Sequence, residues 1–479
     1  QMQMLRRTLP ESLDDLTVQV ALVRPGPIQG GAVHPYIERR RALRADPSYK
    51  VPYEHPSLEA VLSDTLGAIV FQDQVIEVAM AFAGFSPGEA EGLRRAMSRA
   101  RSEAAMRSYE RKFVDGAIAR GASEESASRV YGQIVGFSGF GFPKAHSAAF
   151  GLLAYQSTWL RVHYGAEFLC ALLNEQPMGF YPPDTLVHEA QRRGISILPP
   201  GVASSVAECR VEEGAVRMGL GYVAGVSRED VSAIVDERER GGAFSSVEEL
   251  SSRCATRIDA LERLAWAGAL DSMVSDGRRE ALWRLGVAAP GVKVAGGTQL
   301  ALPVGVEAPE LAELSPWERM LADYGSTRVT LRDHPMGLMR PELGEEVLSS
   351  ADLERTRDGS PVRVAGVVVA RQRPATAHGI TFMLLEDERG TINLIVPVPV
   401  YERCRLAVRA EPLLIADGRL ERRDGVTNVL CNSVRRLERP DLPVGEVRHI
   451  EPRRTWSTEQ SEGDLRAVVP AANSFGRRG

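Results

Sequence analysis

The spacing of apolar and polar residues divides the chain into a helical part and a β part. Up to about residue 200, apolar side chains recur every three or four positions, as they do over 75–82 and 152–163, which predicts amphipathic helices. From residue 361 onward, alternating or continuous β-branched runs predict strands instead. We expect these strands at 362–369, 380–385, 392–396, 413–420 and 426–431.

The predicted strands fit a small Greek-key barrel of the OB type, with a helix over 401–408 between the third and fourth strands. Before the barrel, short elements with glycine turns suggest a second helical region, and a Gly/Ala-rich stretch suggests a linker. The expected fold class is therefore multidomain, with a mostly α first region, an α second region and an all-β barrel. The expected boundaries are 1–200, 201–285, 286–355 for a linker and helical connector, 356–438 for the barrel, and 439–479 for a disordered tail.

Composition agrees with a globular protein of several domains. At about 150 residues per domain, 479 residues predict two to four domains, and 44% hydrophobic with 25% charged residues is an ordinary balance. No apolar run approaches the roughly 20 residues of a membrane helix, and the amino terminus lacks the features of a secretory signal. We therefore expect no membrane partner.

The five cysteines are widely spaced and form no Cys-x-x-Cys pair. This pattern supports neither a zinc site nor a disulfide framework, so no metal site is predicted in the chain. Small buried thiols are typical of a reducing compartment, and a cytoplasmic location is expected.

The formal net charge of −5 argues against a protein that coats nucleic acid along its whole surface. Residues 91–120 nevertheless carry eight basic against four acidic side chains, which is a local basic region. Within it, Arg94 and Arg95 are adjacent on a predicted helix, so one can face a cleft while the other faces solvent. Guanidinium groups match phosphate oxygens, although a solvated helix face explains the same residues.

The segment 139–150 carries the clearest chemical signal. Its glycines and proline predict a tight loop before a helix, and helix amino termini attract anions. Lys144 supplies a point charge for a phosphate, and His146 can donate a hydrogen bond or accept a proton near neutral pH. A purely structural elbow is the alternative. Farther upstream, Arg24 precedes Pro25, where a helix must stop, and its side chain either caps helix carbonyls or reaches an anion.

Four ordered blocks, at 22–27, 71–75, 93–97 and 144–150, resemble the fingers domain of bacterial C-family DNA polymerases, the group of the polymerase III α subunits. The segment 172–181 and the Asp-His-Pro at 333–335 resemble the error-prone translesion members of that group more than the replicative subunit. The resemblance extends from residue 1 to about residue 440.

The resemblance implies a DNA-directed DNA polymerase that joins nucleotides on a template during damage tolerance. It implies that Arg94, Arg95, Lys144 and His146 contact the incoming dNTP or the template, with Arg24 as a weaker candidate. The family holds its Mg²⁺ ions with an Asp-x-Asp pair and a further Asp in the palm, and this sequence contains no Asp-x-Asp. We therefore expect the carboxy-terminal part of a longer polymerase, without catalytic residues and inactive by itself.

The middle region resembles a helix-hairpin-helix, which contacts DNA phosphates through backbone amides at a helix start. Gly225, Ser227 and Arg228 are the expected contacts of the first hairpin, and Gly268 marks a second hairpin that is either a DNA contact or purely structural.

The expected barrel contacts to primer–template DNA are Arg371, Arg373 and Arg422, although few aromatic residues are present for base stacking. A barrel that contacts only protein is the alternative. Pro303 stands where the replicative relatives carry an aromatic clamp-binding anchor, which argues against direct clamp binding. The resemblance to the translesion group implies that a separate partner protein supplies the link to the clamp. Two other functions stay open at this stage: a non-catalytic DNA-binding scaffold and a fragment of the replicative α subunit.

Overall fold

The computed structural model describes residues 2–24, 27–28, 31–98, 103–136, 142–179, 181–288, 291–294, 297–300, 308–374, 377–423, 425–438 and 473–475. Parts of the predicted motifs lie outside these residues, namely Pro25, Gly26, the loop 139–141 and Pro303. The chain forms two compact units, the first comprising 1–160 with 423–426 and the second comprising 161–422 with 427–479. Each unit is described by itself.

The first unit is helical, as its apolar periodicity predicts. Its helices are α1 (Met2–Thr8), α2 (Leu13–Leu22), α3 (Val33–Ala45), α4 (Glu59–Leu62), α5 (Gln72–Ala83), α6 (Pro87–Ser98), α7 (Glu103–Ile118), α8 (Glu124–Gly136) and α9 (Lys144–His163), which continues past the unit boundary. Short 3₁₀ turns at Pro56–Leu58 and Ser63–Thr65 flank α4. One buried cluster centres on Phe82 and Phe113, and a second contains Leu22, Phe71 and Phe142.

The second unit begins with helices that pack on a small sheet. These helices are α10 (Gly165–Asn174) and α11 (Pro183–Arg192), and the strands are β1 (Ile197–Leu198), β2 (Arg210–Glu212) and β3 (Ala215–Arg217). Leu169, Val187 and Val216 share one buried cluster. This cluster contains residues from both sides of the predicted boundary at residue 200.

The predicted hairpin region and connector are also helical. Their helices are α12 (Arg228–Gly241), α13 (Val247–Arg253), α14 (Ile258–Trp266), α15 (Arg278–Val287), α16 (Pro316–Thr327) and α17 (Pro335–Met339). Further 3₁₀ turns lie at Leu220–Tyr222, Asp271–Met273 and Arg340–Glu342. Between α15 and α16, β4 (Val292–Val294) and β5 (Gly297–Gln299) pair antiparallel inside the predicted linker.

A closed five-stranded barrel of the OB type follows, as predicted. Its elements are β6 (Val347–Leu348), α18 (Ser350–Arg355), β7 (Pro361–Gln372), β8 (Thr381–Glu386), β9 (Thr391–Val396), α19 (Val398–Arg403), α20 (Arg405–Ala410), β10 (Leu413–Arg423) and β11 (Val426–Arg436). The strand order is β10-β11-β9-β8-β7, the β10–β7 pairing closes the barrel, and β9 and β11 run parallel. The short strand β6 pairs with β7 outside this ring.

Two details of the barrel differ from the sequence prediction. The helix predicted over 401–408 is two short helices, because the chain leaves helical geometry at Cys404. Within the predicted tail, β12 (Asn473–Phe475) pairs parallel with Ala370–Gln372, so these three residues are ordered on the free edge of β7. The rest of the tail lies outside the described residues.

All five cysteines are free, and four of them are buried. Among the described residues, no helix combines the length and the hydropathy that crossing a bilayer requires.

Candidate functional site

Three of the four sequence blocks meet around Phe142, at the start of α9. The backbone N–H of Gln72 donates to the Phe142 carbonyl at 3.1 Å, and the N–H of Lys144 donates to Asp73 Oδ2 at 2.7 Å. The Arg24 guanidinium carbon lies 4.6 Å from the centre of the Phe142 ring, a cation–π contact. The blocks at 22–27, 71–75 and 144–150 therefore form one local structure.

Gln74 holds the loop before α5 in place. Its buried Oε1 accepts the N–H groups of Val70 and Phe71 at 2.9 and 3.1 Å, and its Nε2 donates to Thr65 Oγ1 at 2.8 Å. Because each donor and acceptor is buried, the amide satisfies groups that water cannot reach. Gln74 is thus a structural residue of the block.

The first turns of α9 pack closely on α2 through small residues. Ser147 Oγ donates to the carbonyl of Thr17, and a Cβ atom at Gly151 would lie 3.3 Å from the Thr17 nitrogen. The next turns are largely solvent-exposed and carry large apolar side chains. The exposed apolar residues of this helix are Phe150, Leu152, Leu153, Tyr155, Trp159, Leu160 and Val162.

The Lys144 ammonium group pairs with a carboxylate on the surface. Its Nζ lies 2.8 Å from Asp64 Oδ2, and the two side chains are 47% and 62% exposed. The hydrogen bond to Asp64 raises the pKa of Lys144, so the side chain is a cation at neutral pH. Burial, followed by the charges of Asp73 and Asp64, raises the pKa of neighbouring Glu77. Lys144 therefore lies in an acidic environment.

His146 faces a different group of side chains. Its exposed ring stands edge-on to Phe142 and Phe150, with ring centres 5.1 and 4.7 Å apart. Residues two apart on a helix point about 200° away from each other. Lys144 is accordingly directed to Asp64, whereas His146 shares the Phe142 ring with Arg24.

Arg94 and Arg95 both contact Glu91, one turn earlier on α6. Arg94 forms a bidentate pair with the Glu91 carboxylate at 2.8 and 2.7 Å, and Arg95 Nε lies 3.3 Å from the same group and is 66% exposed. The hydrogen bonds that Arg94 donates to Glu91 raise the pKa of Arg94, and the charge of Asp73 contributes. Asp73 thus links Arg94 electrostatically to the start of α9.

Sequence reasoning identified the cations of this region and missed their carboxylate partners. Glu91 lies three residues before Arg94, a spacing that indicates a pair on one helix face. Asp73 lies inside the block at 71–75, so the sequence could also have indicated it as a partner. No sequence pattern indicates Asp64, because it is distant from Lys144 in the sequence and lies beside it only in the folded chain.

Asp15 and Asp387, which belong to the acidic clusters at 14–15 and 386–388, have structural partners. Asp15 accepts two hydrogen bonds at 2.6 Å from Arg40 and completes a capping box with Ser12. Asp387 accepts the N–H groups of Arg389 and Gly390 at 2.9 and 2.8 Å in the turn after β8. These carboxylates do not fit the paired, open arrangement that two catalytic metal ions require.

The first hairpin turn has the backbone geometry expected of it. Gly225 has φ +82°, a backbone conformation that favours glycine, and a Cβ atom there would lie 2.6 Å from Arg263 Nε. Ser227 caps α12 and forms a capping box with Asp230. Arg228 is exposed at the first position of the helix, and with Ser227 it lines a cavity of about 600 Å³.

The second hairpin turn is filled by the protein itself. Gly268 has φ +78°, and a Cβ atom there would meet Arg278 Nη2 at 2.9 Å. Arg278 is buried, donates to the Trp266 carbonyl at 2.8 Å and pairs with Asp323 at 2.6 Å. Arg278 thus occupies the space beside Gly268.

All three barrel arginines donate to backbone carbonyls, Arg373 through its Nε to Gly379 at 3.2 Å. Arg371 donates to the Val408 carbonyl at 2.7 Å, and burial lowers its pKa. Arg422 donates to the carbonyl of Glu354 at 2.6 Å, near the end of α18, where a cation is favoured. Arg373 is exposed and lies 4.4 Å from the centre of the Tyr401 ring. Of the three, Arg373 best combines a cation with an aromatic surface.

Comparison with known proteins assigns the two helical regions. Residues 1–121 match the finger domain of the bacterial DNA polymerase III alpha subunit, and residues 194–281 match the helix-hairpin-helix motif. Arg24, Arg94 and Arg95 lie inside the first match, whereas Lys144 and His146 lie beyond its end.

Three relatives that match about nine-tenths of the chain are named error-prone DNA polymerase. The chain is 42% identical over 453 residues to an error-prone DNA polymerase of Anaeromyxobacter sp. (strain K), covering 91% of this chain and 39% of that protein. It is 43% identical over 431 residues to one of Burkholderia pseudomallei (strain K96243), with coverage of 87% and 40%. It is 40% identical over 447 residues to one of Corynebacterium glutamicum, with coverage of 91% and 40%. The chain thus spans about two-fifths of the length of these relatives.

Proposed function

We propose that this chain forms the fingers, helix-hairpin-helix and OB part of an error-prone DNA polymerase. The premise is that the chain belongs to the bacterial DNA polymerase III alpha group and is similar to its error-prone members. In this role it binds the incoming dNTP and primer–template DNA for nucleotidyl transfer during damage-induced translesion synthesis. The observation that carries the proposal is 40–43% identity over about nine-tenths of the chain.

For the dNTP, the proposal assigns the triphosphate to Lys144 and Arg94. Lys144 now faces Asp64 in an exposed pair, and Arg94 faces Glu91 in a half-buried pair whose side chains are 29% and 33% exposed. Exposed ion pairs contribute only about 0–1 kcal/mol, so a triphosphate can displace Asp64 from Lys144 at small cost. Arg24 and His146, on the Phe142 side of α9, are assigned to the template or to the rest of the nucleotide.

Lys144→Ala in a complete polymerase that contains this region tests the nucleotide site. A hydrogen bond to a charged group contributes about 1.5–3 kcal/mol, so kcat/KM for dNTP should fall about 10- to 100-fold. Lys112→Ala is the matched control, because Lys112 also forms an exposed pair, with Glu89, in the same unit. Equal kinetics of the two variants in steady-state primer extension would make Lys144 a structural residue.

For DNA, the proposal assigns a phosphate to the start of α12. Arg228→Ala should lower the slope of log K against log salt by about 0.9, the value for one phosphate contact on duplex DNA. Arg240→Ala is the matched control, because Arg240 is an exposed arginine near the other end of the same helix. Fluorescence anisotropy with primer–template DNA at several salt concentrations measures both slopes, and equal slopes would remove the hairpin assignment.

Catalysis is assigned to carboxylates of a longer polymerase, since the acidic groups considered above do not fit paired Mg²⁺ ions. The 479-residue chain alone should not extend a primer in the presence of Mg²⁺, and extension would contradict this division. A separate protein that links the polymerase to the sliding clamp remains part of the proposal. A non-catalytic DNA-binding scaffold becomes the better interpretation if the complete polymerase that contains this region also fails to extend a primer while it still binds DNA.

A further inference from the structure

A group of metal-ligand residues lies in the second unit, away from every residue assigned above. His188 belongs to α11, His334 precedes α17 as its N-cap, and Glu386 ends β8. One ligand atom from each of the three lies within 4.8 Å of the others. His188 and Glu386 are buried, and His334 is partly exposed.

The His188 ring has one nitrogen without a hydrogen bond. Its Nδ1 is buried and unsatisfied, because the nearest carboxylate oxygen, Glu386 Oε2, lies 3.7 Å away. A buried polar atom without a partner costs about 1–3 kcal/mol. The His334 ring lies beside it, with the two ring centres 4.9 Å apart. The unsatisfied nitrogen is therefore directed toward a place where two other ligand atoms converge.

The outer contacts of the cluster are those that orient metal ligands. His188 Nε2 lies 3.4 Å from Asp184 Oδ1. Asp184 is itself fixed, because it accepts the Tyr324 hydroxyl at 2.8 Å and the Thr330 N–H at 3.1 Å. A carboxylate behind a coordinating imidazole holds the ring orientation and the tautomer that leaves the other nitrogen free.

Glu386 can serve two groups at once. Its Oε1 pairs with Arg192 at 2.7 Å, which leaves Oε2 toward the two histidines. A cavity of about 490 Å³, lined by His188, Arg192 and His334 among others, opens onto the cluster and provides a path from solvent.

From these contacts we propose that His188, His334 and Glu386 bind a divalent transition-metal ion, with Zn²⁺ the best match. Two imidazoles and one carboxylate form a common three-residue zinc set, and water from the cavity would take the fourth position. Zinc–ligand bonds of about 2.0–2.2 Å place neighbouring ligand atoms about 3.3–3.6 Å apart in a tetrahedron. The separation of 3.7 Å between His188 and Glu386 therefore needs only a small closure.

Binding has one identifiable cost. His334 Nδ1 accepts the N–H of Met336 at 3.1 Å, which caps α17. Coordination through Nδ1 uses that lone pair, and coordination through Nε2 moves the ring proton to Nδ1, so the cap bond is lost either way. Metal binding thus loosens one helix cap while it satisfies the His188 nitrogen.

The experiment uses the 479-residue chain, treated with chelator and titrated with Co²⁺, then with Zn²⁺. We expect one equivalent of Co²⁺ to give the visible absorption of a tetrahedral nitrogen–oxygen site, and Zn²⁺ to abolish it. Zn²⁺ should also raise the melting temperature, because an ion that binds only the folded chain stabilises it by mass action. Both readouts use the unaltered chain and do not depend on the folding of a variant.

Variants then assign the ligands. His188→Gln and Glu386→Gln should remove the absorption, and Asp184→Asn should weaken binding about 10- to 100-fold. His34→Gln, at an exposed histidine of α3, is the control and should bind like the unaltered chain. Absence of the band and of the thermal shift in the unaltered chain would overturn the proposal, and so would an unchanged band in folded His188→Gln. Either result would leave His188 as a buried structural imidazole between Asp184 and Glu386.

Discussion

Replacing Gly116 with alanine should destabilise the first unit, because no space exists for a methyl group at this position. Gly116 lies in α7, where a Cβ atom would sit 2.1 Å from the carbonyl oxygen of Ala83, at the end of α5. The obstacle is backbone, so no side chain can rotate away. The helices can separate only by opening the contact between Phe82 and Phe113, whose ring centres are 5.7 Å apart.

The magnitude follows from two opposing effects. Overpacking a core costs about 1–3 kcal/mol, and a clash with backbone belongs at the upper end of that range. Alanine gains about 0.8–1.0 kcal/mol over glycine in helix propensity. The net loss is therefore about 2 kcal/mol, which lowers the melting temperature of a unit of this size by about 4–8 °C.

Gly132→Ala is the matched control for this prediction. Gly132 lies inside α8 with no atom within 4 Å of its ideal Cβ, so the same substitution should stabilise the unit by about 0.5–1 kcal/mol. Far-UV circular dichroism during thermal unfolding measures both variants, and amide hydrogen exchange in α5 and α7 assigns the effect to the first unit. Equal stability of the two variants would refute the steric reasoning.

Two further predictions concern charges. Arg278→Met should lower the free energy of unfolding of the second unit by about 3–5 kcal/mol, measured in urea, because it leaves buried Asp323 without its partner. Adding Asp323→Leu to this variant should restore most of the lost stability. A double variant as unstable as the single one would contradict this. In the first unit, burial alone would raise the pKa of Asp15, but the bonds from Arg40 and from the N–H of Glu11 lower it below 3.8. The stabilising contribution of Asp15 should be complete above the pKa that Asp15 has in the unfolded chain. It should be lost as the pH falls through the lower pKa that Asp15 has in the folded chain. The difference in urea midpoint between the unaltered chain and Asp15→Asn should therefore be larger at pH 6 than below pH 3, and a constant difference would exclude the ion pair as its cause.

The barrel was predictable because its strands alternate or carry β-branched runs, and each predicted strand overlaps an observed one. Strand ends were less predictable, because β10 and β11 extend past their apolar cores into a long hairpin. The periodic apolar residues of α9 predicted a helix correctly, yet Leu153 and Trp159 are exposed. Periodicity shows which side chains share a face, but it does not show what covers that face.

The candidate sites also differ in how far the sequence predicts them. Contiguous blocks such as 71–75 and 144–150 were found because their residues are neighbours in sequence. The proposed metal ligands were not found, because His188, His334 and Glu386 come from three distant elements and none is part of a spaced motif. Only the packing of α11 against the start of α17 and the end of β8 brings them together.

Burial of the ion pairs separates structural cations from cations that are free to bind a ligand. Arg278 and Asp323 are 7% and 12% exposed, so exchanging Asp323 for a phosphate would require opening the core. Lys144 and Asp64 are 47% and 62% exposed, and water competes for both groups. An incoming triphosphate carries more negative charge than Asp64 and meets little resistance there. A basic residue type is common to both pairs, but only the exposed pair can exchange its partner, which is why the proposed nucleotide site depends first on Lys144 and not on the buried arginines.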